Sequence, residues 1–268
     1  MQRIAPALAI LVGIVPARSA CAQGVHLPDR TTRTEAQNVD LSLGWPRPRS
    51  DERRAERRSM VHRQIVVRRI HDAAVIDAVT HVPRHWFVPD SMKPHAYTDR
   101  PLPIGEGQTI SQPYIVALMT QALALTRDSK VLEVGTGSGY QAAVLSEITP
   151  HVFTIEIVEP LARRAIECFR KHGYSTIRTK IGDGYAGWPE HAPFDAIIVT
   201  CAPDHIPPKL IEQLKVGGRL CIPVGRQGGI QNLRLVTKSA DGELKHTDLI
   251  PVSFVPMTGK ARGKGTGD

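Results

Sequence analysis

This chain of 268 residues lacks the patterns of a metal protein, a membrane protein and a repeat protein. It contains four cysteines, and no pair of cysteines or histidines has the spacing of a metal site. The amino-terminal apolar run, from Ile4 to Val15, is shorter than the about 20 residues that a transmembrane helix requires. No segment repeats. We therefore expect no metal and no stable membrane span, while 41% hydrophobic content predicts a folded domain with a sizeable core.

The charge is unbalanced, with a formal excess of +8 at pH 7. Much of this excess lies in arginines before residue 70 and in the carboxyl-terminal tail. A basic helix there could attract nucleic acid or an anionic membrane, or it could be a solvated face on which Asp51, Glu52 and Glu56 intersperse with arginines. Aromatic residues do not interleave with the basic ones, so we expect no nucleic acid partner.

The amino terminus has the pattern of a secretory signal. Arg3 precedes the apolar run, and Ala20-Cys21-Ala22 places small residues where a signal peptidase cleaves. We predict a signal peptide over residues 1–22, export to the periplasm, and a flexible, proline-containing linker over residues 23–49. Two alternatives stay open, a lipoprotein site at Cys21 and a cytoplasmic protein without a signal.

Removal of residues 1–22 would leave Cys168, Cys201 and Cys221. An odd number argues against a complete disulfide framework, even in an oxidising compartment. Cys168 and Cys221 fall in a predicted helix and a predicted strand, where we expect them to pack. Cys201 follows a predicted strand end beside the candidate site, either as a small packed residue or as a reactive thiol, and no sequence feature shows an activating base.

The most informative segment, Val131 to Tyr140, reads Val-Leu-Glu-Val-Gly-Thr-Gly-Ser-Gly-Tyr. It predicts a buried strand and a glycine turn whose backbone a ligand can approach closely. Tyr140 stands where a dinucleotide fingerprint has its third glycine, and Glu133 would repel a phosphate but suits a cation. S-adenosylmethionine, with its sulfonium and ammonium groups, fits such a site. The predicted cofactor residues here are Glu133, Gly135, Thr136, Gly137, Ser138 and Gly139.

Acidic residues also end the next two predicted strands. Glu156 lies about 20 residues after the turn, where an acid accepts hydrogen bonds from ribose hydroxyls. Asp183, followed by Gly184, could accept from an exocyclic amine such as that of adenine. Thr200, at the end of the fourth predicted strand, completes the predicted cofactor site. The alternatives are a helix N-terminal charge for Glu156 and a simple turn at Asp183.

Strands and helices alternate through the second half of the chain, which predicts an α/β fold with a parallel sheet covered on both faces. The predicted strands are residues 131–134, 152–156, 176–181, 196–200 and 220–223, followed by an antiparallel edge hairpin over 233–237 and 249–254. One or two helices are expected before Pro83 and another after Pro113. Residues 94–107, rich in proline and glycine, predict an irregular loop.

Several motifs resemble the protein-L-isoaspartate (D-aspartate) O-methyltransferase family, from about Arg54 to Lys260. Besides the glycine turn they are residues 82–88, 97–105, 107–113, 182–184, 194–200 and 254–256. The segment Gln-Thr-Ile-Ser-Gln-Pro, ending at Pro113, is the specific one, because a glycine turn alone fits any methyltransferase. The resemblance implies a Rossmann-like methyltransferase that uses S-adenosylmethionine, with a mostly parallel, doubly wound sheet.

The implied reaction is methyl esterification of the free carboxylate of L-isoaspartyl and D-aspartyl residues in damaged proteins, which starts repair through a succinimide. By the same resemblance Ser111 is the active-site serine, although a helix N-cap is compatible with its position. The implied substrate-binding residues are Gln108, Thr109, Ile110, Pro223, Val224 and Gly225. An enzyme acting on many proteins should bind an extended peptide through its main chain.

We therefore predict a monomeric methyltransferase domain over residues 50–260, including an amino-terminal helical cap, and a basic, flexible tail over 261–268. The roles of Asp99, Glu106 and Thr258 stay open. Two other functions also stay open, a methyltransferase acting on a small molecule or RNA, and a non-catalytic binding protein that retains the fold.

Overall fold

The computed structural model describes residues 44–226 and 228–259. The predicted signal peptide, most of the predicted linker and the predicted basic tail lie outside the described residues. The helices are α1 (Arg54–Met60), α2 (Ala73–His81), α3 (Pro113–Leu123), α4 (Tyr140–Ser146), α5 (Glu159–His172) and α6 (Pro208–Glu212). The strands are β1 (Leu102–Gly105), β2 (Gln108–Ile110), β3 (Val131–Val134), β4 (Val152–Glu156), β5 (Arg178–Ile181), β6 (Phe194–Val199), β7 (Leu214–Val224), β8 (Gln231–Lys238) and β9 (Leu244–Val252).

Seven strands form one sheet in the order β5-β4-β3-β6-β7-β8-β9. The first five in that order are parallel, and β8 and β9 add to β7 as an antiparallel edge hairpin. The expected mostly parallel α/β sheet with an antiparallel edge is confirmed. Because β3 is the middle one of the five parallel strands, its carboxyl end is flanked by those of β4 and β6, and ligands of such sheets bind at these strand ends.

The alternation of side chains along the central strands separates two apolar clusters. Val131 belongs to a cluster with residues of α1 to α5, whereas Leu132 and Val134 belong to a cluster with α6 and the carboxyl-terminal Met257. Successive side chains of a strand point to opposite faces, so this division places packed elements on both faces of the sheet. Glu133 therefore lies on the face that the first cluster covers.

An amino-terminal cap packs against helix α3. It consists of α1, a π-helical turn over Val61–Ile65, and α2, which begins after Asp72. The Asp72 carboxylate accepts a hydrogen bond from the Ala74 backbone N–H at 2.9 Å and caps the helix. His85, in a short 3₁₀ helix after α2, is hydrogen bonded to the Tyr97 hydroxyl at 2.6 Å and to Glu52 at 2.9 Å. These contacts tie the beginning of the cap to the segment that leads into β1.

The prediction of an irregular loop over residues 94–107 was wrong for the second half of that range. Strand β1 pairs with β2 in an antiparallel hairpin outside the main sheet. Its turn holds Gly105, Glu106 and Gly107 at positive φ of 90°, 53° and 69°. Two glycines make this turn accessible, because they adopt the left-handed region without the steric cost of a Cβ atom.

Residues 44–49, assigned from composition to a flexible linker, lie against helix α4 and the turn after it. Trp45 Nε1 donates to the Ser146 carbonyl at 2.9 Å, and Arg49 pairs with the buried carboxylate of Glu147 at 2.7 Å. Burial raises the pKa of Glu147, and the arginine opposes that shift. The part of the predicted linker that is described is therefore docked on the domain.

None of the helices within residues 44–226 and 228–259 has the length and apolarity needed to cross a bilayer. In the same residues there is no cluster of three or more histidine, cysteine, aspartate or glutamate side chains suited to a metal ion. Cys168, Cys201 and Cys221 are free thiols, and Cys221 is buried in β7, as its apolar surroundings predict.

Candidate active site

A cleft opens at the carboxyl ends of β3, β4 and β6. The hairpin β1–β2 and the segment over residues 255–258 form its other walls. Of the predicted site residues, it is lined by Gln108, Thr109, Ile110, Ser111, Glu133, Gly135, Thr136, Gly137, Ser138, Glu156, Gly184 and Thr200. The structure thus brings together residues from five separate parts of the chain.

The glycine turn after β3 needs its glycines for two different reasons. Gly135 has a φ of +98°, and a Cβ atom there would lie 2.5 Å from Thr200 Oγ1. That hydroxyl instead donates to the Gly135 carbonyl at 2.6 Å and braces the turn. At Gly139, with a φ of +90°, a Cβ atom would lie 2.7 Å from the Phe169 ring. Gly139 therefore permits close packing of α5 behind the turn and does not line the cleft.

Glu156, at the end of β4, has its carboxylate fixed by two backbone groups. Gly137 N–H donates to one oxygen at 2.7 Å, and Val158 N–H donates to the other at 2.9 Å. Each carboxylate oxygen keeps a second acceptor site. The side chain is buried and lines the cleft, so its free acceptor sites suit a ligand with a pair of hydroxyl donors.

Glu133 is fully buried under the glycine turn. Thr154 Oγ1 donates to its Oε2 at 2.6 Å, and Thr154 Oγ1 is in turn 2.6 Å from Thr136 Oγ1. Its Oε1 is buried and has no hydrogen-bond partner among the described residues. Burial raises the pKa of Glu133 to about 8, the Thr154 hydrogen bond opposes the shift, and repulsion from Glu156 adds to it.

Asp183 lies beside the cleft rather than on its wall. Its carboxylate accepts from the Tyr185 N–H at 3.0 Å and caps the 3₁₀ turn over Gly184–Ala186. Gly184 itself lines the cleft, and a Cβ atom on it would collide with the Val134 side chain. Asp183 therefore takes part in the turn through Oδ1, and its predicted hydrogen bond to an adenine amine stays a prediction.

Ser111 lies on the opposite wall, directly after strand β2. The N-cap of α3 is Gln112, which makes no side-chain cap, so Ser111 is not the helix cap that its position suggested. The Ser111 carbonyl accepts a hydrogen bond from Arg84 Nη2 at 2.9 Å. Gln108, Thr109 and Ile110 of the hairpin line the cleft beside it.

Pro223 and Val224 end strand β7, Gly225 follows it, and none of the three lines the cleft. Their neighbourhood is organised by Gln231, a buried side chain. Its Nε2 donates to the Gly229 carbonyl at 2.9 Å, and its Oε1 accepts from the Phe254 N–H at 2.8 Å. Gln231 thereby joins the loop after β7 to the segment that leads to residues 255–258.

Part of the lining was not predicted from the sequence. These residues are Val116, Tyr140, Gln141, Ile155, Ile157, Val158, Val255, Pro256 and Met257. Thr258, whose role was open, also lines the cleft. The Met257 N–H donates to the Ala202 carbonyl at 2.9 Å, and the Ala202 N–H donates to the Val255 carbonyl at 2.8 Å. The carboxyl-terminal segment thus closes the site by a long-range pairing with the residue after Cys201.

Cys201 lines the cleft beside the glycine turn. Burial raises the pKa of its thiol well above the ordinary value, and repulsion from Glu156 and Glu133 adds to the effect. A thiol in this environment stays protonated at neutral pH and is a poor nucleophile. Of the two roles offered for Cys201, the surroundings favour packing.

Comparison with known proteins finds a matching family and relatives that share its name. Residues 55–262 match the family described as Protein-L-isoaspartate(D-aspartate) O-methyltransferase (PCMT). A Protein-L-isoaspartate O-methyltransferase of Opitutus terrae is 59% identical over 203 residues, which cover 76% of this chain and 87% of the relative. A protein of the same name from Picosynechococcus sp. is 55% identical over 209 residues, 78% of this chain and 93% of the relative.

Solved structures agree on the fold. A structure of a protein-L-isoaspartate O-methyltransferase superposes with a TM-score of 0.66 and 28% identity, over 76% of this chain and 67% of that chain. A Plasmodium falciparum protein described as a putative member of the same enzyme class, solved with S-adenosyl-L-homocysteine, also gives 0.66, with 24% identity over 75% of this chain and 98% of its own.

Proposed function

Because this chain belongs to the protein-L-isoaspartate(D-aspartate) O-methyltransferase family, we propose that its cleft holds S-adenosylmethionine on the sheet side and an isoaspartyl carboxylate on the cap side. The enzyme methylates isoaspartyl residues in damaged proteins and so starts their repair. The observation that supports this division of the cleft is its charge. The sheet side presents Glu133 and Glu156, whereas the wall at Ser111 is backed by Arg84.

The sheet side fits the methyl donor on three observations. Glu133 Oε1 is a buried acceptor without a described partner, Glu156 has free acceptor sites, and Gly135 lines the cleft without a side chain. When bound, S-adenosylmethionine supplies a methyl group on a positively charged sulfur. We assign to Glu156 the binding of the ribose hydroxyls and to Glu133 the stabilisation of the cofactor's positive charge. Thr136, Gly137, Ser138, Gly184 and Thr200 are assigned to the walls of this half, and Gly139 and Asp183 to its support.

On the cap side, Ser111 is assigned the orientation of the substrate carboxylate. The bound donor would supply an electrophilic methyl carbon, and Ser111 would hold one oxygen of the substrate carboxylate in line with it. No proton moves, since a carboxylate with an ordinary pKa near 4 is already ionised at neutral pH. The enzyme therefore needs no general base. It must align the attacking oxygen and exclude water, and a hydroxyl on a fixed loop serves both needs.

The peptide around the isoaspartyl residue is proposed to bind as an extended chain. Gln108, Thr109 and Ile110 border the Ser111 side, and the backbone at Pro223, Val224 and Gly225 is assigned the opposite side of the entrance. A protein that repairs many substrates gains little from reading particular side chains, so main-chain hydrogen bonds are the expected contacts. We further propose that the domain over residues 50–260 acts as a monomer. Substitution of the residues flanking the isoaspartyl site should change turnover little, whereas N-methylation of the flanking amides should reduce it.

The test of the reaction uses the full chain and labelled S-adenosylmethionine with two peptides that differ only in an isoaspartyl or a normal aspartyl linkage. We expect a base-labile methyl ester on the isoaspartyl peptide alone. Methylation of both peptides would contradict the assigned selectivity. Cofactor binding without transfer to either peptide would indicate another acceptor, such as a small molecule or RNA, and absence of cofactor binding would indicate a non-catalytic binding protein.

Export to the periplasm is proposed from the signal pattern of residues 1–22, with cytoplasmic location as the alternative. The measurement is the amino-terminal sequence of the protein recovered from cell fractions. A periplasmic protein that begins at residue 23 would agree with the proposal. A cytoplasmic protein that retains Met1 would contradict it, as would loss of activity when residues 1–22 are deleted.

A further inference from the structure

Arg84 belongs to the motif at residues 82–88, and no individual role in the reaction has been assigned to it so far. Its side chain is completely buried. Its guanidinium donates to three backbone carbonyls, those of Ala96, Arg100 at 3.4 Å and Ser111 at 2.9 Å. The residue therefore joins the segment before β1 to the loop that carries the proposed substrate-binding serine.

This guanidinium forms no ion pair within residues 44–226 and 228–259. A buried cation normally has a carboxylate partner, because carbonyl dipoles offset only part of the cost of removing its charge from water. Asp99 is close enough to act on Arg84 electrostatically, but its carboxylate is paired with Arg68. The face of the Tyr140 ring, with its centroid 5.9 Å from the Arg84 guanidinium carbon, gives additional weak stabilisation. Burial lowers the pKa of Arg84 to about 10, so it is still charged at neutral pH.

The charges of this region do not cancel. Arg84 and Arg68 are positive and Asp99 is negative, which leaves one positive charge behind Ser111. On the far side of the cleft, Glu133 and Glu156 lie where the cationic cofactor is proposed to bind. An isoaspartyl carboxylate at Ser111 would be the missing partner of the positive charge. In a region largely protected from water, such an attraction is stronger than it is at the surface.

We propose that Arg84 is a positioning residue for the substrate carboxylate: it fixes the Ser111 backbone and provides a positive charge that the bound carboxylate neutralises. The inference rests on the proposed role of Ser111. It predicts that the enzyme distinguishes the isoaspartyl carboxylate from a neutral group of the same shape, and that Arg84 is responsible for much of that distinction.

Arg57 provides a matched control. It is also a buried arginine, and its guanidinium likewise donates to three carbonyls, those of Ser50, Glu52 and Thr80. None of these three residues lines the cleft. Replacement of Arg57 should therefore destabilise the cap without changing how the site recognises charge, whereas replacement of Arg84 should do both.

The experiment measures, by calorimetry with S-adenosylhomocysteine present, the dissociation constants of two peptides. One has the free isoaspartyl carboxylate, and the other has a carboxamide in its place. We expect Arg84→Met to reduce the preference for the acid about 10- to 100-fold, the range for loss of an interaction with a charged group. Arg84→Lys should retain part of the preference, and Arg57→Met all of it. An unchanged preference in folded Arg84→Met would overturn the proposal, as would a wild-type enzyme that binds both peptides equally.

Asp99→Asn decides the question if Arg84→Met does not fold. Removing this negative charge should raise the preference for the acid about threefold, a modest effect for a charge that does not touch the ligand. A lower or unchanged preference would contradict the inference. Failure of the serine assignment is a separate result, because Ser111→Ala would then leave turnover unaffected while the acid preference and its dependence on Arg84 persist.

Discussion

The two walls of the cleft differ in how their residues reach it. The sheet wall is built from consecutive strand ends, and its acids, Glu133 and Glu156, each follow from a local pattern of apolar residues. The cap wall depends on contacts between distant segments, such as the hydrogen bond from Arg84 to Ser111 across 27 positions. The sheet wall is acidic and the cap wall is backed by a cation. This difference supports the proposal that the sheet wall binds the cationic cofactor and the cap wall binds the anionic acceptor.

The largest expected effect tests the sheet wall. Glu156→Ala removes both the acceptor for the ribose hydroxyls and the carboxylate that fixes Gly137 and Val158. Because each charge-assisted hydrogen bond contributes about 1.5 to 3 kcal/mol, we expect cofactor affinity to fall at least about 100-fold. Calorimetric titration with S-adenosylhomocysteine measures the effect. Glu159→Ala, which removes an exposed acid paired with Arg163, is the control and should bind normally.

An equal affinity of Glu156→Ala and wild type for the cofactor would refute the ribose assignment. Weaker binding together with a large drop in melting temperature would instead show that the carboxylate mainly holds the turn. Glu156 would then no longer support the assignment of the sheet wall to the cofactor.

The next effect tests the cap wall. Ser111→Ala should lower turnover about 10- to 100-fold and leave cofactor affinity unchanged, because the hydroxyl is assigned to the acceptor and not to the donor. Ser138→Ala provides the mirror experiment, since Ser138 lies on the sheet wall and its hydroxyl accepts from the Tyr140 N–H at 3.2 Å. It should weaken cofactor binding more than turnover. Equal losses of turnover and cofactor affinity in Ser111→Ala would contradict the division between the walls.

The same contrast explains which features could be predicted from sequence. The ends of β3 and β4 agree with their predicted bounds, because short runs of apolar, β-branched residues mark buried parallel strands. The glycine turn and Glu156 follow from those strand ends. By contrast, the cap wall depends on long-range contacts that no local pattern specifies. The burial of Arg84, the pairing of Ala202 with residues 255–257, and the contact of Trp45 with Ser146 all belong to this class.

The hairpin β1–β2 is an intermediate case. Its high content of proline and glycine suggested an irregular loop, yet Gly105 and Gly107 flank a turn between segments that contain Ile104 and Ile110, both buried. This spacing is a hairpin signal, and it was available in the sequence. Asp183 is a case in which the sequence predicted the position but not the contact. It follows a strand end as expected, and its side chain caps a turn. Position along a strand does not determine where a short side chain points.

The third prediction concerns pH and the acid under the glycine turn. Burial raises the pKa of Glu133 from 4.5 to about 8. Between pH 4.5 and 8 its carboxyl group is therefore protonated in the folded protein and ionised in the unfolded chain. The contribution of Glu133 to the free energy of unfolding is therefore fully present below about pH 4.5 and is lost as the pH rises through about 8. Glu133→Gln should melt a few degrees higher than wild type at pH 8 and show a flatter dependence on pH.

A cationic ligand should make Glu133 release its proton. Titration with S-adenosylmethionine in buffers of different ionisation enthalpy, at pH 7, should therefore show net proton release, whereas neutral-sulfur S-adenosylhomocysteine should release less. Glu133→Gln should abolish the difference between the two ligands. Equal proton release by wild type and Glu133→Gln would show that the proton comes from another group, and the acidic character of the sheet wall would then rest on Glu156 alone.

The smallest expected effect tests the contact between the walls. Arg164 of helix α5 donates to the Ile104 carbonyl of the hairpin at 3.1 Å and lies 3.5 Å from Glu106, whereas its neighbour Arg163 pairs only with Glu159 on the same helix among the described residues. The Ile104 side chain lies next to Gly137, since a Cβ atom added to Gly137 would be 3.6 Å from it. By holding the Ile104 backbone, Arg164 therefore keeps the hairpin over the glycine turn. Arg164→Met should therefore speed cofactor dissociation about two- to fivefold, in keeping with the modest strength of partly exposed contacts, and Arg163→Met should not. Stopped-flow displacement of S-adenosylhomocysteine measures both rates. If the two variants dissociate alike, the hairpin is held by its own packing, and the walls of the cleft are independent.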